Sequence, residues 1–101
     1  MALVEPIGAL EQGKVVAATE AYVQQARDAF GRKFRQVPVL FDLPGRTAGM
    51  FKLVGRRGWI RYNPWIFAKY FEENLSGTVP HAVAQLLVYE LYCPRGVKHP
   101  G

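Results

Sequence analysis

The stretch "TVPHAVAQLLVYEL", Thr78 to Leu91, decides how the chain is read. Ala84, Leu87, Val88 and Leu91 recur at spacings of three and four, the pattern of a helix with one apolar stripe. Thr78 stands where an N-cap is needed, and Pro80 is tolerated in the first turn, where amides have no intrahelical acceptor. His81 is followed by Ala82 and, four residues on, by Gln85, so His81 and Gln85 share a helix face. Alone, the stretch predicts a capped amphipathic helix carrying one histidine.

Working outward, "NPWIFAKYF" predicts another helix, capped by Asn63, with Pro64 at its first position and Ile66, Phe67, Tyr70 and Phe71 on its apolar face, stopping near "NLSG". Upstream, β-branched and aromatic residues punctuated by "LPGRT" and "VGRRGW" predict strands at Val37 to Leu43, Ala48 to Val54 and Trp59 to Tyr62, the last two a hairpin. Phe41, Met50, Leu53 and Ile60 are the candidate core positions there, and Gly49 suits a bulge or a close backbone approach. From about Leu10 to Phe34, Val16, Val23, Ala26, Phe30 and Phe34 recur at helical spacings, with Gly31 marking a weakening end. The expected fold class is therefore α+β: a long N-terminal helix, a three-stranded antiparallel sheet, then two helices.

The 101 residues suffice for one domain, residues 1–101, and the final "CPRGVKHPG" predicts a loop that breaks off before a further element. Half the residues are hydrophobic and 21% charged, which excludes a disordered chain. No apolar run has membrane-spanning length, and "MALVEPIGALEQGK" lacks the basic start and apolar block of a secretion signal, so a cytoplasmic protein without a membrane partner is expected. Cys93 is a lone cysteine, which excludes an internal disulfide and a CxxC metal knuckle.

Several separated segments in order carry a family likeness. "GRTAG" (Gly45 to Gly49), "IRYNP" (Ile60 to Pro64), "NLSGTVPH" (Asn74 to His81) and "RGVKHPG" resemble the segments that frame the site of the SprT-like zinc metallopeptidases, a zincin-like family. The resemblance implies peptide-bond hydrolysis with zinc as cofactor, acting on protein substrates or DNA-associated proteins. Its helix carries HExxH, and a third histidine follows near "KPHG". Residue by residue, His81 matches the first metal ligand, Ala82 stands at the general-base glutamate, and Gln85 stands at the second ligand. The third site reads "KHPG", so His99 is a displaced ligand, with Pro100 in its place.

These departures have chemical meaning. The glutamate of such a site takes a proton from metal-bound water and delivers it to the leaving amine. Alanine accepts no proton, a loss of about 10²- to 10⁴-fold in rate. Gln85 offers a neutral amide oxygen, a weak donor for zinc. The expectation is a pseudoenzyme with zinc absent or weakly bound, in which Ala82 and Gln85 line a cleft, so that restoring Glu and His there leaves the fold unchanged. A weakened metalloprotease recruiting Glu90 is disfavoured, because Glu90 lies roughly 13 Å along the helix from His81.

A third reading is a binding module. The net charge of +5 includes Arg56, Arg57 and Arg61, interleaved with Trp59 and Tyr62. This cluster suits single-stranded nucleic acid, or else a hairpin whose aromatics face the core while its arginines face water. The hairpin alternative is the expected one.

Overall fold

The computed structural model describes residues 4–31, 33–34, 37–55 and 57–92. Helix α1 runs Ala9–Phe30 and ends at Gly31, whose N–H donates to the Arg27 carbonyl at 2.9 Å. Its buried positions are Val15, Thr19 and Ala26, with Ala18, Tyr22 and Val23 packed beside them. Phe30, expected on the stripe, is 52% exposed, and Phe34 is buried beyond the helix end. The inward face is therefore rotated from the expected one, because it is centred on a polar residue. Thr19 Oγ1 bonds the Val15 carbonyl and the Tyr62 hydroxyl, each at 2.8 Å, which removes the cost of burying it.

The sheet consists of β1 (Val39–Leu40), β2 (Gly49–Val54) and β3 (Arg57–Tyr62), in the order β1-β3-β2. The hairpin between β2 and β3 is antiparallel as expected, with Phe51 opposite Ile60 and Lys52 opposite Trp59. The expectation of a wholly antiparallel sheet is corrected: β1 runs parallel to β3, pairing Val39 with Ile60. The connection through "LPGRT" carries the chain past β3, so β1 and β2 flank it on opposite sides. The first strand is also shorter than expected, its ladder spanning two residues between Pro38 and Pro44, neither of which donates an N–H.

After β3 the described residues form three helices, not two: α2 (Pro64–Lys69), α3 (Phe71–Ser76) and α4 (Thr78–Tyr92). The break between α2 and α3 falls at Tyr70, whose φ of −137° and ψ of 63° interrupt the helix. The stripe of α4 also differs from expectation. Val79, Ala82, Val83 and Leu86 are buried, whereas Ala84 is exposed and Val88 is 56% exposed. Two sets of apolar residues lie on this helix, and periodicity alone does not choose between them. The core joins these residues to Ile7, Val15, Ile60, Tyr62 and Phe67.

Candidate functional site: the edge strand and helix α4

Asn63 is the joint on which the site is built. Its Oδ1 accepts from the amides of Trp65 (3.0 Å) and Ile66 (3.1 Å), the cap expected for α2. Its Nδ2 donates to the Gly45 carbonyl at 2.9 Å, and its own N–H donates to the Ala48 carbonyl at 2.8 Å. One buried side chain thus fastens "GRTAG" to "IRYNP". A second joint is Asn74, buried at the end of the short helices. Its Nδ2 donates to the Tyr70 carbonyl at 2.7 Å, and its Oδ1 accepts from the Thr78 hydroxyl. Thr78 therefore spends its hydroxyl on Asn74, which corrects its expected role as cap of α4.

Gly49, the last residue of "GRTAG", is placed by close approach. A Cβ there would lie 2.7 Å from Thr78 Cγ2 and 2.8 Å from Tyr62 Cδ1, far inside van der Waals contact. The expected close backbone approach is present, and it brings the start of β2 against the start of α4. Tyr62 behind it is fully buried, with its ring 5.2 Å from that of Phe67 and 5.9 Å from that of Phe41. Burial pushes the Tyr62 hydroxyl up to about 12, opposed in part by the bond to Thr19.

Helix α4 then runs along the free edge of β2. His81 is exposed and shares a shallow depression with Ala48, Gly49, Glu73, Gly77 and Thr78. One turn on, Gln85 is exposed, and its Oε1 accepts from the N–H of Phe51 at 3.0 Å. A further turn brings the Tyr89 ring within 5.9 Å of the Phe51 ring. Positions 81, 85 and 89 thus form a row beside the strand.

Ala82 does not belong to that row. It is 0% exposed and part of the core, which corrects the expectation that Ala82 and Gln85 both line a cleft. His99 and Arg56 lie outside the described residues. Glu73, which shares the depression with His81, was not singled out in the sequence; its signal was only that "EENLSG" immediately precedes the His81 helix. Among the described residues, no group of three or more histidine, cysteine, aspartate or glutamate side chains converges as a metal would need. Glu90 is on α4 but not among the residues of the His81 depression.

Arg57, Trp59 and Arg61 project from one face of β3, while Gly58, Ile60 and Tyr62 are buried on the other. The expectation that the aromatics face the core and the arginines face water is therefore corrected for Trp59, which shares the arginine face. Tyr62 alone of the two aromatics faces inward.

The molecule is thus an α+β domain in which a helix bearing one histidine lies along the open edge of a three-stranded mixed sheet. Protein SprT of Pseudomonas paraeruginosa is 38% identical over 79 residues, 78% of this chain and 47% of that protein. Protein SprT of Pseudomonas savastanoi is 37% identical over 73 residues, covering 72% of this chain and 43% of that protein. Protein SprT of Shewanella oneidensis is 32% identical over 81 residues, covering 80% and 51%. These relatives support a SprT-like family for the chain, which spans about half the length of the relatives it matches. No protein-family model matches the chain. No solved structure matches it significantly. Among the described residues, no helix is long and apolar enough to cross a membrane.

Proposed function

We propose that this chain is a SprT-like domain of zincin-like metallopeptidase architecture that does not hydrolyse peptide bonds. The observation that carries the reading is the bond from Phe51 N–H to Gln85 Oε1 at 3.0 Å. The side chain at the second ligand position is committed to the backbone of the edge strand. Its oxygen is a weak zinc donor even when free. His81 is exposed as a ligand would be, and Glu73 is the acidic residue that lines the same depression. Catalytic zinc sites take three protein ligands and keep a fourth position for water. His81 and Glu73 fall short of that number, so the described residues do not fit a tightly held zinc ion. At the general-base position, Ala82 has no proton acceptor and is enclosed by the core.

The test is metal content and turnover of the purified protein. After dialysis against zinc, well under one equivalent should remain bound, and no cleavage of an unfolded protein substrate should be detected. Stoichiometric zinc together with turnover abolished by a chelator would sink the proposal. Protein substrates or DNA-associated proteins as partners belong to the same reading by family resemblance, and a cytoplasmic location, expected from the sequence, accompanies it.

A further inference from the structure

We propose that the gap between helix α1 and strand β1 is a binding site for a free apolar α-amino acid of the size of leucine. It shares no lining residue with the His81 depression, so it does not depend on the reading of that site. The gap follows from how α1 is held. The helix packs against α4 and is pinned to the sheet by the bond between Thr19 and Tyr62, while β1 is tied to β3 by a ladder of two residues. Between α1 and β1 lies a cavity of about 210 Å³. Val23, Val37 and Val39 wall it, and Ile60 and Leu86, both buried, form its base. A cavity of about 150 Å³ already holds a benzene ring, so this one has room for a branched aliphatic side chain and the charged groups attached to it.

Two charges set the rest of the ligand. Arg27 and Glu20 both line the cavity, from the same face of α1. Arg27 Nη2 donates to the Phe34 carbonyl at 3.2 Å, but its Nε is buried and has no hydrogen-bond partner. A buried donor left unsatisfied is costly, and an acceptor arriving through the cavity removes that cost. Held at one nitrogen only, the guanidinium can turn this edge to a carboxylate, the anion that its planar fork fits. Glu20, at the exposed rim, has no ion-pair partner among the described residues. It stands two turns from Arg27, about 10.5 Å along the axis, beyond the spacing of surface pairs on a helix but suited to two long side chains that converge on one small zwitterion. An unpaired cation and an unpaired anion over an apolar pocket match an apolar amino acid better than a simple carboxylic acid, which Glu20 repels, or an amine, which Arg27 repels.

The experiment follows the backbone amides of the whole isotope-labelled chain by NMR while L-leucine is added to about 20 mM, a range that covers the weak affinity of so small a ligand. Shifts should be confined to the amides around Val23, Val39 and Leu86 and should saturate with a dissociation constant of about 1 mM or below. Isocaproate, which lacks the ammonium, should bind about threefold more weakly, and isoamylamine, which lacks the carboxylate, at least about tenfold more weakly. Glu20→Gln should weaken leucine about threefold and leave isocaproate unweakened. Arg27→Gln should weaken leucine at least about tenfold. Val23→Phe, which fills the cavity from α1, should abolish binding. Circular dichroism checks the fold of each variant; if one unfolds, the other two and the ligand series still decide. The proposal is overturned by the absence of saturable shifts, by shifts centred outside the cavity, by isocaproate or isoamylamine binding as tightly as leucine, or by unchanged leucine binding in any of the three variants that folds.

Discussion

Gly49→Ala is the most direct probe of how the strand and the helix are held together. The added methyl would meet Thr78 Cγ2 at 2.7 Å, Tyr62 Cδ1 at 2.8 Å and Tyr62 Cε1 at 3.1 Å. None of these atoms moves cheaply. Tyr62 is fully buried and tied through its hydroxyl to Thr19 at 2.8 Å, and Thr78 is tied to Asn74. Relief therefore requires β2 and α4 to separate by several tenths of an ångström. Overpacking of this kind costs about 1–3 kcal/mol. For a domain of this size each kcal/mol lowers Tm by roughly 4–8 °C. Urea unfolding should show a lower midpoint at unchanged slope, because the surface exposed on unfolding is the same. Thr78→Ser removes Cγ2 but keeps the hydroxyl, so adding it to Gly49→Ala should recover part of the loss and leave the share due to Tyr62. A Gly49→Ala protein within about 0.5 kcal/mol of wild type would refute the packing described here.

Other perturbations have equally definite outcomes. The Tyr62 hydroxyl, raised to about 12 by burial, stabilises the folded state fully below pH 10. As pH rises from about 10 through 12 the unfolded chain loses that proton first, so about 2–3 kcal/mol should be lost in that window. Urea midpoints at pH 9 and 11.5 measure it, and Tyr62→Phe should flatten this part of the profile. Ala82→Glu should lower stability by about 3 kcal/mol or more, since it forces a carboxyl and extra volume into a site with no exposure; wild-type stability of that variant would show that the position opens to solvent. Asn63→Ala should cost several kcal/mol, because it uncaps α2 and frees the Gly45 carbonyl together, whereas Asn63→Asp should retain the cap and lose only the bond to Gly45. Gln85→Ala should change global stability by less than about 1 kcal/mol, yet speed hydrogen exchange at the Phe51 amide, a local effect visible by NMR.

Much of this architecture was legible in the sequence where the signal was local. The Asn63-Pro64 start of α2, the β2–β3 hairpin, the end of α1 at Gly31 and the tight place at Gly49 each follow from the stereochemistry of one or two residues. What was not legible depended on tertiary choice. The parallel pairing of β1 reflects which side of β3 the chain passes, and no local propensity encodes that. The inward face of α1 is organised around Thr19, a polar residue that hydrophobic periodicity discounts until its partner Tyr62 is in place. On α4, two apolar sets compete, and the sheet selects the one containing Ala82. At the candidate site, the sequence put His81, Ala82 and Gln85 together on one helix, as α4 has them, but it did not show that Gln85 bonds a strand amide or that Ala82 faces inward.

The Gln85 contact also bears on self-association. Strand β2 is at the sheet margin, and the alternation of its hydrogen bonds gives Gly49 and Leu53 the same outward orientation as the Phe51 amide. A row of unpaired backbone groups on a marginal strand is a template on which another molecule's strand can assemble. Gln85 occupies the middle donor of that row with a side chain of the same molecule. An intermolecular strand must displace this amide oxygen before it can pair in register, so the Gln85 side chain opposes edge-to-edge assembly.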